Sequence, residues 1–210
     1  MNIRHGARQI CAIVFVLFAT ALPAQGQTFT CGDPSPGKQK GVDLYSDQEV
    51  APLGREQRKL IARFFRTLRG HWRGRYTRTD CVEDAQGARE KVDVFEANLE
   101  VTWTSNRILH LQFARGRAQL DIQRIYYAFT DGYLREERDL AGQEAEVLEA
   151  GDNLLKVYRR YGQRVGPRVL PLEVVTSLRR NGRRLLVTRR SYLDGKLILS
   201  QDWKLRRWTH

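Results

Sequence analysis

The stretch Gly70–Cys81 divides this chain into two parts that have different hydrophobic periods. Before it, apolar residues recur every three to four positions, which is the period of an amphipathic helix. Within it, Trp72, Gly74 and Tyr76 share one face of an extended segment. A large aromatic residue near a glycine, which allows a second backbone to approach closely, is typical of a strand that starts a sheet. We therefore expect a β domain from this point onward.

A helix is predicted directly before that strand, from about Arg55 to Arg69. Gly70 follows it as a C-terminal stop, and we expect the helix to cover an open side or end of the sheet. Its apolar stripe consists of Leu60, Ile61, Phe64, Phe65 and Leu68. Its other side carries Arg55, Arg58, Lys59, Arg63, Arg66 and Arg69. A solvent-exposed face is the favoured interpretation of these charges, and contact with a membrane surface is the alternative.

Downstream, runs of alternating apolar and polar residues are separated by turn residues. The turns are Asp131-Gly132, Gly151-Asp152-Asn153, Asn181-Gly182 and Asp194-Gly195. Asn-Gly and Asp-Gly are the strongest short hairpin signals, because primed turns need a positive φ at both central residues. The predicted strands cover 70–81, 90–104, 107–115, 117–130, 133–140, 144–150, 153–161, 168–180, 183–193 and 196–208. A change of apolar parity near Phe95-Glu96 predicts a bulge in the second strand.

This pattern predicts a mainly β fold: an antiparallel up-and-down meander of eight to ten strands with one N-terminal amphipathic helix. The meander would form a barrel or a strongly curved half-barrel. A β-sandwich is the structural alternative, but the long C-terminal strands favour a sheet that curls.

The first 26 residues have the pattern of a secretory signal peptide. Arg4 and Arg8 precede an apolar run over residues 10–19, and small residues precede Gln27. The run is shorter than the roughly 20 residues that span a bilayer, so a retained membrane anchor is the less favoured alternative. The predicted organisation is a signal peptide (1–26), an irregular N-terminal arm (27–54) and a single helix-plus-β-barrel domain (55–210). We expect export to the periplasm or the cell exterior and a soluble mature protein.

Export determines how the three cysteines are interpreted. Cys11 would leave with the signal peptide, so Cys31 and Cys81 remain as the only pair. An even cysteine count in an oxidising compartment favours a disulfide. A redox-active thiol is less favoured because there is no Cys-x-x-Cys motif, and the spacing does not fit a metal site.

Gly70-x-Trp72 at the entry to the first strand, together with a last strand that carries Trp203, Arg206, Arg207 and Trp208, resembles the lipocalin-like (calycin) superfamily. In that superfamily, a tryptophan of the first strand packs at the closed end of the barrel under an arginine from near the last strand. The resemblance therefore implies that Trp72 pairs with Arg206 or Arg207. The open, helix-plugged half-barrel of periplasmic lipoprotein carriers is the alternative.

The charge balance favours anionic partners. The chain has 36 Lys and Arg residues against 24 Asp and Glu residues, a formal net charge of +12. One hairpin tip concentrates Arg179, Arg180, Arg183 and Arg184, and guanidinium forks suit phosphate. A solvent-exposed outer face is the favoured interpretation of this tip. It is favoured more strongly for the arginine doublets at 159–160 and 189–190. Nucleic acid is not an expected partner, because the chain has a signal peptide and no recognised binding motif.

No catalytic motif is visible. The mature histidines, His71, His110 and His210, have no metal-ligand partner at short spacing, and no serine lies in a Gly-x-Ser-x-Gly context. The carboxylates Glu136, Glu137, Asp139, Glu144, Glu146 and Glu149 are interpreted as solvated strand edges. We expect no metal, no cofactor and no enzyme activity, although a hydrolase with an unrecognised site is an alternative.

The favoured function is that of an exported binding or carrier protein for an apolar or amphiphilic, anionic envelope molecule such as a lipid. The predicted pocket lining is Trp103, Phe113, Tyr127 and Phe129, and the predicted head-group site is Arg179, Arg180, Arg183 and Arg184. A filled core is the alternative for the interior. A structural or interaction protein of the envelope, acting through a basic surface and making peripheral membrane contact, is the alternative function.

Overall fold

The structure is a computed structural model that describes residues 30–84, 87–104, 108–115, 121–137 and 143–209. The predicted signal peptide lies outside these residues. The described helices are α1 (Pro36–Gln39) and α2 (Arg55–Leu68). The described strands are β1 (Gly70–Asp84), β2 (Gly87–Trp103), β3 (Leu109–Arg115), β4 (Asp121–Thr130), β5 (Tyr133–Glu137), β6 (Gln143–Glu144), β7 (Glu146–Ala150), β8 (Leu154–Val165), β9 (Arg168–Asn181), β10 (Arg184–Leu193) and β11 (Lys196–Trp208).

All eleven described strands form one antiparallel sheet in the order β6-β5-β4-β3-β2-β1-β11-β10-β9-β8-β7. The two ends of this order, β6 and β7, belong to one continuous segment, residues 143–150. Between them, the Ala145 N–H donates to the Leu134 carbonyl at 2.8 Å. The sheet therefore curls back on itself into a nearly closed barrel, and a β-sandwich is excluded.

The meander is confirmed, but the strand count is eleven rather than eight to ten. The predicted strand 144–150 is divided at Ala145, because its first residues pair with β5 and its later residues pair with β8. The prediction of a bulge near Phe95-Glu96 is wrong, since β1 and β2 pair without a register shift. The parity changes there because Val92 and Val94 are exposed on the outer face.

The predicted hairpin turns have the backbone conformations that such turns require. Asp131 and Gly132 have φ of 51° and 89°, and Asp194 and Gly195 have φ of 49° and 74°, as primed turns need. The Asn181-Gly182 hairpin is confirmed with its centre one residue later, because Asn181 pairs with Arg184 and the turn consists of Gly182 and Arg183. The expected close approach at Gly74 is also present, since a Cβ there would collide with the Lys204 carbonyl oxygen.

Helix α2 closes one end of the barrel, which we call the plugged end. The residues of its apolar stripe that reach the interior, Ile61, Phe64, Phe65 and Leu68, are at most 1% exposed. The Trp72 indole N–H donates to the Leu68 carbonyl at 2.8 Å, which fixes the end of the helix against the start of β1. We call the opposite end of the barrel the far end.

The described part of the N-terminal arm has one helical turn among otherwise irregular backbone. It contains the short helix α1, whose first turn is capped by the Ser35 hydroxyl. The arm packs on the outside of β8, β9 and β10, over a small second core of Tyr158, Val175, Tyr192 and Leu197. Arg160 holds the following segment by donating to the carbonyls of Asp43 at 2.9 Å and Asp47 at 3.2 Å.

The predicted disulfide between Cys31 and Cys81 is confirmed. It joins the start of the described arm to β1 and closes a loop with a sequence separation of 50. The disulfide, the contacts of Arg160 and the backbone hydrogen bond from Ser35 to Gly195 attach the arm to the barrel at several places.

Replacing Gly37 with alanine is expected to destabilise the docked arm. The buried carboxylate of Glu173 accepts from the Gly37 N–H at 3.1 Å and from the Tyr158 hydroxyl at 2.8 Å. A Cβ on Gly37 would collide with that carboxylate and lie 2.8 Å from Leu44. We expect Gly37→Ala to lower the free energy of unfolding by about 1–3 kcal/mol in urea denaturation. Gly151→Ala, where a Cβ meets open space, should change it by less than about 0.5 kcal/mol; equal losses would contradict the prediction.

His110 is a structural residue on the outer face, where its ring stacks on Tyr126 at 4.4 Å. Burial, followed by the nearby Arg124 guanidinium, lowers the pKa of His110 below its ordinary value. The unfolded chain therefore binds this proton more readily, so stability should fall as pH drops from about 7 to about 5. His110→Phe keeps a ring against Tyr126 and should flatten this part of the curve of unfolding free energy against pH. An unchanged curve would contradict the assignment.

Candidate ligand site inside the barrel

A cavity of about 300 Å³ lies inside the far end of the barrel. Its aromatic wall is formed by Tyr76, Phe113 and Trp203, and the Trp203 ring lies 4.7 Å from Tyr76 and 4.6 Å from Phe113. The cavity also contains polar groups, since Gln201 Nε2 donates to the Tyr76 hydroxyl at 2.7 Å. Further lining residues are Arg78, Ala97, Gln123 and Arg124. We call this space the far-end cavity.

The strands place the three aromatic side chains together because each has the inward parity of its strand, whereas Arg124 reaches the rim of the cavity from the outward parity of β4. Tyr76 follows Trp72 on the inner face of β1, and Trp203 precedes Leu205 on the inner face of β11. Tyr76 and Trp203 are also register partners of these neighbouring strands. Sequence reasoning missed Tyr76, Trp203 and Gln201 as site residues, although their shared parity with buried residues was visible.

A buried charge cluster lies across the middle of the barrel. Glu136 on β5 is fully buried, and its Oε1 lies 3.0 Å from Arg189 Nη1 and 3.2 Å from Arg159 Nη2. The Tyr127 hydroxyl donates to Glu136 Oε2 at 3.1 Å. Two guanidiniums therefore share one carboxylate, which leaves a formal excess of one positive charge inside the barrel.

The protonation of Tyr127 follows from this environment. Burial, followed by the charge of Glu136, raises the pKa of Tyr127 well above its ordinary value. The hydroxyl thus remains a hydrogen-bond donor at neutral pH. Arg159 Nε is a buried polar atom without a hydrogen-bond partner in the described structure. The cluster accordingly has the electrostatics of an anion-attracting interior, and it contains no histidine, cysteine or serine.

The interpretation of Glu136 as a solvated edge is wrong, as is that of Arg159, Arg189 and Arg190, which are 3–5% exposed. Arg189 shares its inward parity with Val187 and Leu185, and Arg159 shares that of Val157 and Leu155. A charged residue at a strand position whose parity is otherwise apolar was the sequence signal that could have located the buried charge cluster. Arg190 points outward, where its Nη2 donates to Asp202 at 3.0 Å. Asp139 lies outside the described residues.

The four predicted lining residues do not form one pocket. Phe113 lines the far-end cavity, but Trp103, Tyr127 and Phe129 surround Phe65 of α2, with ring centroids 5.7, 5.8 and 6.3 Å away. These three rings therefore form the packed seat of the helix. At the plugged end, the interior is therefore a filled core, which was the alternative to a pocket.

The arginine-rich hairpin tip also lies at the plugged end, away from the cavity. Arg179, Arg183 and Arg184 are exposed there, Arg180 is half-buried, and Arg183 Nη2 donates to the Thr209 hydroxyl at 3.3 Å. Of the predicted lining residues, Trp103, Tyr127 and Phe129 lie at the same end as this tip but are packed against α2, and only Phe113 lines the far-end cavity.

The expected anchor pair is present. The Arg207 guanidinium lies over the Trp72 ring, 5.4 Å from its centroid, and it donates to the Arg69 carbonyl at the end of α2. Arg206, the alternative partner, is exposed. Gly70 has a φ of 116° and forms the sharp turn between α2 and β1.

Comparison with protein-family models and with curated proteins gives no match. Among solved structures, the chain is similar to a protein of unknown function from the DUF3598 family of Nostoc punctiforme, with 15% sequence identity and a TM-score of 0.45. The similarity covers 75% of this chain and 51% of that protein, so the chain spans about half its length.

Within the described ranges, no group of three or more His, Cys, Asp or Glu side chains could hold a metal ion. Neither described helix is long and apolar enough to cross a membrane. The far-end cavity is the candidate ligand site because of its aromatic and polar lining.

Proposed function

We propose that the protein is an exported binding or carrier protein, without enzyme activity, for an anionic amphiphile such as an envelope lipid. The far-end cavity carries this proposal. Ligand pockets are mostly apolar, contain a few convergent polar groups and have volumes of about 300–1,000 Å³. The cavity has three aromatic rings beside Gln123 and Gln201 in about 300 Å³, and its accessible lining is more polar than that of an average pocket, which suits an amphiphile with a polar head. Its size favours a slender ligand, such as one with a single acyl chain.

Two arginines of the cavity lining are the proposed contacts for the anionic head. Arg78 is half-exposed and is held by Asp80 through two hydrogen bonds of 2.6 and 2.7 Å. Arg124 is exposed, and its Nε donates to Gln112 at 3.4 Å. A guanidinium that is already oriented loses less conformational entropy when it binds an anion. This proposal moves the head group from the hairpin tip to the far end.

Two observations support the remaining parts of the proposal. The contact between Trp72 and Arg207 is the pair that a lipocalin-like family would place at the closed end of the barrel. The disulfide between Cys31 and Cys81 is typical of proteins in oxidising compartments. Membership in the calycin superfamily and a periplasmic or extracellular location are parts of the proposal on these grounds.

Filling the far-end cavity should abolish ligand binding. Ala97 lines the cavity and is 2% exposed, so Ala97→Phe places a ring in the space that the ligand needs. We expect native mass spectrometry, with lipid extraction, to find an amphiphile on the purified protein. In Ala97→Phe, the fraction of protein carrying it should fall about tenfold or more.

Ala128→Phe is the matched control, because Ala128 lies on the outer parity of β4, between Tyr127 and Phe129. The same added ring should leave ligand occupancy unchanged. A protein that is free of ligand after purification, and stays free after exposure to envelope lipids, would contradict the carrier function. Equal loss in both variants would show that the ligand is not in the far-end cavity.

A further inference from the structure

A groove of about 530 Å³ lies at the plugged end, where α2 ends and β1 begins. We call it the basic groove. Its principal side chains are Arg66, Arg69, His71, Glu100, Trp103 and Arg207. The basic groove shares no lining residue with the far-end cavity, so an inference about it goes beyond the proposed function and does not depend on it.

Positive charge predominates in the basic groove. Three guanidiniums, those of Arg66, Arg69 and Arg207, face one carboxylate, that of Glu100. The C-terminal end of α2 adds the equivalent of about half a negative charge, which leaves the balance positive. Among the described residues, Arg66 and Arg69 have no acidic partner, whereas Arg63, one turn earlier, lies 3.5 Å from Asp152.

Arg207 is held in place before any ligand arrives. Its guanidinium lies over the Trp72 ring, and its Nη2 donates to the Arg69 carbonyl. That hydrogen bond uses one of its five N–H donors. The guanidinium therefore offers a fixed fork to the groove, while the exposed side chains of Arg66 and Arg69 approach from the helix.

The floor of the basic groove is amphipathic. Trp103 is half-buried and packs against Phe65 at 5.7 Å, so one part of its indole belongs to the core and another part faces the groove. Val101 also lines the groove. A ligand with an anionic group attached to a less polar body would contact both the guanidiniums and the indole.

We infer that the basic groove binds a phosphate group carried on such a body, through Arg66, Arg69 and Arg207. Phosphate fits because its oxygens accept paired hydrogen bonds from guanidinium forks, and because several arginines can share its charge. A phospholipid head group at a membrane surface and a soluble phosphate ester both present this chemistry. The groove would then attach the plugged end to an anionic membrane or hold a phosphorylated molecule.

The test compares two double variants of the full mature chain that remove the same charge. R66Q/R69Q alters the groove and leaves the Arg69 carbonyl, which Arg207 contacts, in place. R164Q/R168Q removes two exposed arginines from the hairpin between β8 and β9. Binding is measured by calorimetry with glycerol 3-phosphate, and by sedimentation with phosphatidylcholine vesicles that contain or lack phosphatidic acid.

We expect R66Q/R69Q to weaken binding about tenfold or more and R164Q/R168Q to weaken it less than about twofold. Binding of glycerol 3-phosphate would identify a soluble phosphate ester as sufficient, and binding only to vesicles with phosphatidic acid would identify the lipid surface. Absence of binding to both probes would overturn the inference. Equal weakening in the two variants would also overturn it, because net charge alone would then explain binding. Neither result would affect the ligand occupancy measured with Ala97→Phe.

Discussion

Glu136→Gln is expected to lower the free energy of unfolding by about 3–5 kcal/mol, because it leaves buried guanidiniums without their counter-charge. Arg159 and Arg189 are 4% and 3% exposed and both lie within 3.2 Å of the same carboxylate oxygen. An amide in that position retains one hydrogen-bond acceptor but has no charge to offset two cations. The measurement is urea denaturation followed by circular dichroism.

Glu144→Gln is the control for this prediction. Glu144 lies 3.4 Å from Arg135, and both side chains are about one-third exposed. Solvent screens such a pair, so the same substitution should cost less than about 1 kcal/mol. Equal losses in the two variants would contradict the role assigned to the buried cluster.

A triple replacement separates the cost of an unpaired charge from the contribution of the intact cluster. Replacing Glu136 with leucine and both Arg159 and Arg189 with methionine removes all three charges and keeps the side-chain volume similar. Apolar replacements of buried ion pairs are often neutral or stabilising. We therefore expect the triple variant to be at least as stable as the native protein, well above Glu136→Gln. A triple variant as unstable as Glu136→Gln would show that packing, not charge, sets the cost.

The strands of this fold could be predicted from local signals, because each depends on residues close together in sequence. Alternation predicted the strands but not which of their faces is the inner one, and the Asp-Gly pairs predicted the hairpins. The division at Ala145 could not be predicted in this way. It depends on how the sheet curls, because residues 143–144 pair with β5 whereas residues 146–150 pair with β8.

The candidate site was harder to predict because parity fixes which side of the sheet a residue faces but not its height along the barrel. Trp103, Phe113 and Tyr127 all point inward, yet only Phe113 reaches the far-end cavity. The strands of a barrel are tilted, so neighbours in the register lie at different heights. The partners of Glu136 were hidden for a related reason: Arg159 and Arg189 reach it only across the closed interior.

Removing the ring that α2 inserts into the plugged end is expected to cost about as much stability as leaving the buried guanidiniums unpaired. Phe65 is fully buried and contacts Trp103, Tyr127 and Phe129 within 6.3 Å. Phe65→Ala removes the ring at the centre of this aromatic group and leaves a cavity that the rigid barrel wall cannot collapse to fill. We expect the free energy of unfolding in urea to fall by about 3–5 kcal/mol.

Two variants of the same helix make this prediction specific. Lys59→Ala removes an exposed side chain that pairs with the exposed Glu56 at 2.7 Å, and it should cost less than about 1 kcal/mol. Phe65→Leu retains part of the side-chain volume, so its loss of unfolding free energy should lie between those of Phe65→Ala and Lys59→Ala. A loss below 1 kcal/mol for Phe65→Ala would show that α2 does not plug the barrel. Because the far-end cavity lies at the opposite end, folded Phe65→Ala protein should still carry the amphiphile, whereas a pocket formed by Trp103, Tyr127 and Phe129 would lose it.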